Sequence, residues 1–320
     1  MWKLLTRLNS PGGNNGSLSV LYFHRVLAKH DPLLPDEPTA ETFDAMMGWV
    51  QRQFTVIPLA EGVARLRDGS LPPAAAAITF DDGYRDNLEV AAPILKRRNM
   101  PATLFVASGF VDGGIMFNDK VIEAIRRTSR PALELPDLGI GPLPLDSWEQ
   151  RRNAVSQLLP AIKHLPAARR GEVVSALAGQ AGVALPDDLM MTSGQLREFV
   201  RLGFDVGAHT QNHPILAVLS DDQAYREITQ GREQLEGMID RRVGLFAYPN
   251  GRRENDFDER HAAMTKACGF EAAFSTEPGV CRKDCNPWSL PRFTPWDRTA
   301  MRFHLRMLAN SLVPSGAKAY

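Results

Sequence analysis

Cysteine is scarce in this sequence: Cys268, Cys281 and Cys285 are the only three in 320 residues. An odd, sparse set cannot staple a small disulfide scaffold and suits a reducing compartment. A zinc site built from the three thiols and His261 would have the Cys281/Cys285 spacing for one half, but a second paired knuckle is missing, so free thiols are the simpler reading. Charge imbalance is lacking as well. Lys+Arg and Asp+Glu both number 37, for a formal net charge of +0, so no global field draws the chain to nucleic acid or to an anionic surface. No run of about 18 apolar residues could span a bilayer. The opening "MWKLLTRLNSPGGNNGS" lacks the apolar core of roughly 7–15 residues that a secretory leader needs. The chain is therefore expected in the cytoplasm, with action at the inner face of the membrane left open.

What is present is ample core material: 44% of the residues are hydrophobic, enough for one large α/β domain or two ordinary ones. Short apolar runs bounded by turn residues predict strands at Leu18 to Phe23, Ala77 to Phe80, Ala102 to Ala107, Phe204 to Ala208, Gly244 to Tyr248, Ala272 to Ser275 and Ser289 to Phe293. Helical spacing predicts helices over Thr42 to Gln53, Leu59 to Arg67, Asp86 to Arg98, Ser193 to Leu202, Asp221 to Ile239 and Asp256 to Ala267. Such alternation implies an α/β fold with a parallel sheet, either open or closed into a barrel. The rhythm breaks between about 108 and 190, where Pro/Gly-rich stretches surround helical segments; this predicts a helical insertion serving as a lid or substrate wall. The expected organisation is a tail over 1–17, a domain over 18–310 carrying the insertion, and a tail over 311–320.

Polar residues gather at the predicted strand ends. His24 closes one strand, Asp81 and Asp82 another, His209 a third, and Pro249, Asn250 and Gly251 follow a fourth. In parallel α/β folds these carboxyl ends share one face, and sites form there. His209 and His213 are spaced i, i+4, so one helical turn would aim both imidazoles the same way, although Pro214 disfavours a continuing helix at His213. With a carboxylate they would make a His2Asp metal site with open positions. If one of two adjacent aspartates ligates a cation, its neighbour can remain an anion and act as a base. Taken one by one, the residues fit more simply an Asx turn at Asp81-Asp82-Gly83 and a solvated histidine loop.

Taken together, "TFDDGY" at 79–84, "HTQNHP" at 209–214 and "FAYPNG" at 246–251 resemble the signature motifs of the polysaccharide deacetylases, the NodB homology group that includes chitin, peptidoglycan and nodulation-factor deacetylases. "YFHRV" at 22–26 and the stretch after it are similar to the members that act on exopolysaccharides such as poly-N-acetylglucosamine. The resemblance implies a distorted (β/α) barrel of about seven strands and a hydrolase that removes an N-acetyl group from an amino sugar. It implies that Asp81 is the general base, that Asp82, His209 and His213 hold a divalent ion (zinc first, with cobalt, nickel or manganese as alternatives), and that the backbone N–H of Tyr84 binds the oxyanion. The substrate so implied is an N-acetylated glycan or its precursor; a cytoplasmic location would make it an intracellular precursor, lipid- or nucleotide-linked, and the neutral charge predicts no nucleic-acid partner.

Two features depart from the family pattern. The usual acid histidine near the C-terminus has only His304 as a counterpart, within "MRFHLRML", which has the spacing of an amphipathic helix. His24 is therefore the favoured acid, matching the "YHR" element of the exopolysaccharide members. The arginine that ordinarily holds the catalytic aspartate is absent from "LFAYPNG", and Arg292 in "SLPRFTPW" is the substitute. Tyr84, Trp288 and Trp296 are candidate sugar-stacking aromatics, and Tyr248, Pro249 and Asn250 candidate substrate contacts. The competing readings are hydrolysis of another non-peptide C–N bond, in a formamide or cyclic ureide, and a carbohydrate-binding barrel without turnover.

Overall fold

A computed structural model describes residues 1–313 of the chain. Its hub is strand β3 (Ala75–Phe80), buried at every position. β1 (Leu18–Phe23) pairs with β3 in parallel from Leu18 opposite Ala75 to Phe23 opposite Phe80, and the short β2 (Thr55–Val56) pairs with its first residues. Beyond β3 follow β4 (Thr103–Val106), β7 (Asp205–Ala208), β8 (Leu245–Ala247) and β9 (Ala272–Phe274), in the order β1-β3-β4-β7-β8-β9 and all parallel. Parallel strands covered on both faces favour apolar residues on either side, which is why most of them appear in the sequence as nearly continuous hydrophobic runs.

The expected seventh strand, Ser289 to Phe293, is not a regular one. Instead, Leu290 exchanges backbone hydrogen bonds with Ala273 and Ser275 beside β9, while Phe293 bonds to Val20 and Tyr22 of β1. The prolines and turns around this stretch prevent a regular ladder, yet it links both edges of the sheet and curls the sheet into a distorted (β/α)7 barrel.

Helices α2 (Ala40–Gln53), α3 (Leu59–Asp68), α4 (Ala92–Arg97), α8 (Ser193–Arg201), α9 (Asp221–Ile239) and α10 (Glu259–Ala267) lie between the strands. Capping boxes start α2 at Thr39, α8 at Thr192 and α9 at Ser220, each closed by the residue three further on. The helix expected from Asp86 to Arg98 opens with a π turn, Asn87–Ala91. Pro93 has no N–H for the Glu89 carbonyl, which favours the wider turn. α1 (Trp2–Asn9) occupies part of the expected N-terminal tail, and α11 (Ala300–Ser311) ends this unit. Of the expected tail over 311–320, residues 314–320 lie outside the described residues.

Two-residue periodicity divides the sheet. Leu21, Phe23, Ala76, Ile78, Phe80, Leu104, Val106 and Phe246 join the apolar layer that includes side chains of α2, α4, α8 and α9. Leu18, Val20, Ala75, Ala77, Phe105, Leu245, Ala247, Ala272 and Phe274 fill the inner face. Small alanines there make room for Phe105 and Phe274, and Gly207 sits opposite Phe105, where a Cβ would lie 2.4 Å from its ring carbons. Continuing the alternation past the strand ends assigns His24, Asp81 and His209 to the inner row.

A second compact unit comprises 29–36 and 112–190. It holds α5 (Phe117–Arg127), the antiparallel pair β5 (Ala132–Leu135) and β6 (Ile140–Pro144), α6 (Trp148–Lys163) and α7 (Ala167–Ala181) around its own core of Val121, Ile125, Leu133, Leu158, Ile162 and Leu177. The expected insertion is thus not wholly helical. Leu133, Leu135, Leu143 and Leu145 are buried on the hairpin and just after it, a two-residue pattern obscured in the sequence by the neighbouring prolines. Among the described residues no helix is long and apolar enough to cross a membrane.

Candidate metal and catalytic centre

Asp81 follows β3 directly and is buried, as is Arg292. The guanidinium donates from Nη1 and Nη2 to the two carboxylate oxygens at 2.7 and 2.8 Å, and its Nε donates to the Ser275 carbonyl at 3.1 Å. The rings of Tyr22 and Phe105 flank it at 4.8 and 5.3 Å. This is the fork geometry that arginine, unlike lysine, supplies. Burial would raise the Asp81 carboxyl, but Arg292 and the fields of His209 and His24 outweigh it and hold the group below the usual carboxylate range.

Asp82 would by strand alternation point away from this row. Its φ of 79°, left-handed and costly for a non-glycine residue, breaks the strand instead. Gly83 continues the turn at φ 98°, where a Cβ would lie 3.0 Å from Val106. The result brings Asp82 Oδ1 to 3.5 Å from His209 Nε2 and 3.3 Å from His213 Nε2.

The two histidines do not share a helical turn. β7 ends at Ala208, and 209–213 is a loop in which Thr210 and His213 both have positive φ. Tertiary contacts hold it: Glu227 of α9 accepts from the backbone N–H groups of Gln211 and Asn212 and from the Asn212 side chain. Gly231 lets α9 approach so closely that a Cβ would meet the Thr210 carbonyl carbon at 2.5 Å. The Thr210 hydroxyl accepts from His213 N–H at 3.0 Å. His209 Nδ1 lies 2.7 Å from the Ala247 carbonyl, so in the neutral ring this nitrogen carries the proton and Nε2 keeps a lone pair for the site.

Asp82 Oδ1 is buried and receives no hydrogen bond. A buried carboxylate oxygen without a donor, facing two imidazole nitrogens, is a donor set whose chemistry suits a divalent cation. One ligand atom from each of Asp82, His209 and His213 falls within a 4.8 Å cluster. Two ligands on a tetrahedral zinc, each about 2.0–2.1 Å away, stand roughly 3.3–3.4 Å apart, so the spacing fits. Burial raises Asp82, but His213 and His209 overcome it and hold it far below the usual range. Burial pushes His213 down to about 4, leaving its nitrogen free of a proton at neutral pH. Burial also opposes protonation of His209, but the closeness of Asp82 and the fields of both aspartates prevail and raise it.

The remaining expected residues divide by location. His24 is half-buried beside Tyr22, with its carbonyl accepting from Asn87 Nδ2 at 2.9 Å, and its charge acts on both aspartates and on Glu37. His304 belongs to a packing cluster: it bonds to Gln53 and stacks on Trp2. Tyr248 was expected to contact substrate, but its ring stacks on Phe257 at 3.7 Å and its hydroxyl donates to the Trp288 carbonyl; fully buried, it offers no surface to a sugar. Tyr84 is buried, with Arg25 4.7 Å over its ring, so a stacking role for that ring is unsupported and only its backbone remains a candidate. Trp288 is half-buried under Lys266, whereas Trp296 is 52% exposed. Pro249 is buried and Asn250 half-buried, in a turn where Asn250 has φ 60°. The conceivable thiol site does not form among the described residues. His261 is engaged by Leu216 and Asp258, the Cys281 thiol donates to the Pro291 carbonyl, the Cys285 sulfur accepts from the Arg282 N–H, and none of the three cysteines is in a disulfide. Sequence reasoning missed Thr79, whose hydroxyl lies 3.4 Å from Arg292, and Glu227, to which no motif points.

The family model described as polysaccharide deacetylase matches residues 68–134 and 153–273, more than half of the chain. YxkH of Bacillus subtilis (strain 168), which carries a polysaccharide deacetylase name, is 20% identical over 277 residues, covering 86% of this chain and 70% of that protein. IcaB from Ammonifex degensii is similar in structure with a TM-score of 0.59 at 18% identity, over 92% of this chain and 98% of that one. The Streptococcus pyogenes deacetylase PplD, solved with acetate, gives 0.58 at 18% identity over 87% and 92%. A de-N-acetylase from Aggregatibacter actinomycetemcomitans gives 0.55 at 15% identity over 87% and 94%.

Proposed function

The chain belongs to the polysaccharide deacetylase family, and from that premise we propose that it is a metal-dependent hydrolase removing the N-acetyl group from an N-acetylated amino sugar of a surface glycan or its precursor. The observation that carries this reading is the orphaned Asp82 oxygen between His209 and His213, next to an aspartate kept ionised by a buried arginine. Asp82, His209 and His213 would hold a divalent cation, which when bound supplies Lewis acidity toward the amide oxygen and makes water more acidic.

The protein's own groups divide the remaining work. Asp81 accepts the proton of the attacking water, and Arg292 fixes the carboxylate in plane and in its ionised form. The Tyr84 N–H donates to the oxygen on which negative charge develops. His24 delivers a proton to the departing sugar amine, which would otherwise leave as a poor anion. Proton acceptor and donor then come from different strand ends, β3 and β1, which pair in register up to Phe23 and Phe80.

Calorimetry on metal-stripped protein tests the site: about one zinc per chain should bind to the wild type, and the His209→Ala/His213→Ala variant should bind none. A wild type that takes up no cation would remove the basis of the reading. His24→Gln should lower kcat with little change in KM, and an undiminished kcat would dismiss His24 as the acid.

A further inference from the structure

Exposed apolar side chains are not scattered over this molecule. Of the eleven large hydrophobic side chains exposed among the described residues, seven lie on or cap α1 and α11: Met1, Leu4, Leu5, Leu8, Met301, Leu305 and Leu312. Such concentration is what distinguishes an interaction surface from the ordinary apolar background.

In α1 the amphipathic order is inverted. The residues that the protein buries on and just after this helix are small and polar, Thr6 and Ser10. Positions 1, 4, 5 and 8 form a single helical stripe of Met and Leu, and Leu4 and Leu8 are 64% and 69% exposed. α11 buries Phe303, His304, Met307, Asn310 and Ser311, while Met301, Leu305 and Leu312 lie exposed at i, i+4 and i+11, with half-buried Leu308 between them. The two helices are neighbours, joined by the stacking of Trp2 on His304 at 5.0 Å.

Their charge has one sign. No Asp or Glu occurs between residues 1 and 30 or between 298 and 320, although the chain as a whole is neutral. Lys3 and Arg7 flank the α1 stripe, and Arg302 and Arg306 are exposed on α11; Arg306 also reaches the buried Asp297 at 3.1 Å. Leucine and methionine stripes flanked by basic residues, with no acid between them, are the composition of helices that lie in an anionic lipid interface. A symmetric contact with a second copy would instead set like charges against each other with nothing in either helix to neutralise them.

We propose that α1 and α11 form a docking surface for an anionic lipid bilayer, their leucines entering the headgroup boundary and their basic residues meeting lipid phosphates. The surface lies on helices that carry none of the carboxylates or histidines of the metal centre, and the inference is independent of the reaction proposed above.

Co-sedimentation of the full chain with phosphatidylcholine vesicles, with and without phosphatidylglycerol, tests it. The chain should pellet with the anionic vesicles, and high salt should weaken the binding. Leu4→Gln/Leu8→Gln/Leu305→Gln should lose about tenfold or more in affinity, because these side chains would no longer leave water on docking. Lys3→Gln/Arg7→Gln/Arg302→Gln should lose about fivefold per charge, and only toward anionic vesicles. The leucine positions face solvent, so a retained far-UV spectrum is expected, and Leu305→Gln alone serves if the triple variant misfolds. A wild type that stays in the supernatant, or leucine variants that bind like the wild type, would overturn the proposal. A dimer dispersed by the same leucine substitutions, without lipid binding, would assign the face to a second copy of the chain instead.

Discussion

Replacing Arg292 by methionine leaves the Asp81 carboxylate buried without its guanidinium partner. In the native protein the pair is fully enclosed and bidentate at 2.7 and 2.8 Å, so little water can substitute for the lost guanidinium. Removing one partner of such a pair costs about 3–5 kcal/mol, whereas replacing both with groups of similar size is close to neutral. Arg292→Met should therefore fall in that range by urea denaturation at neutral pH. Arg292→Met/Asp81→Asn should recover most of the loss, short of the bond to the Ser275 carbonyl, which stays broken in both. The pH dependence has a definite sign. The native Asp81 value is lowered, so its contribution to stability is present above the unfolded value and is lost as pH falls through the folded one. In Arg292→Met burial is opposed only by the fields of His209 and His24, and the group rises from its native value. The deficit relative to wild type should then be greatest at neutral pH and shrink in acid, where a neutral carboxyl needs no partner. A cost below about 1 kcal/mol, or one that does not change with pH, would refute the claim that Arg292 exists to keep a buried base ionised.

Cation affinity should weaken as pH falls below neutral, first because a proton on His209, whose value the two aspartates raise, competes with the cation, and only in stronger acid because one on His213, pushed down to about 4, does so too. Calorimetry across a pH series reads this order, and an affinity that stays constant from neutral pH into acid would contradict the assignment. Glu227→Ala should weaken cation binding about tenfold or more by freeing the 209–213 loop, with little change in the far-UV spectrum; unaltered affinity would make Glu227 a bystander. Gly207→Ala forces a methyl against Phe105 and should destabilise by about 1–3 kcal/mol in thermal unfolding, and a neutral effect would mean that the inner layer is loosely packed.

The longer strands of the parallel sheet were legible because they are mostly apolar runs, and the polar residues that end them marked the site face before any contact was known; the two-residue β2 and the β5/β6 hairpin carried no such run. The 289–293 stretch looked like another such strand, but what it forms is set by two sheet edges distant in sequence, and no local pattern encodes that. The His209/His213 spacing suggested a helical turn; the loop that replaces it is held by Glu227 and the close approach at Gly231, both on a helix some twenty residues further along. Tyr248 looked like a site residue because it follows a strand, yet with Phe246 it belongs to the helix-facing layer, and its stacking on Phe257 takes it out of reach. The α1 helix was concealed by its own inversion, since a short segment whose leucines point outward carries little of the usual core signal.

Acetate release from N-acetylglucosamine oligomers by the metal-stripped protein, before and after addition of zinc, tests the central claim most directly. Release should be absent from the stripped protein, appear on loading, and vanish in an Asp81→Asn variant that still binds the cation. Full release by the stripped protein, or by loaded Asp81→Asn, would contradict it.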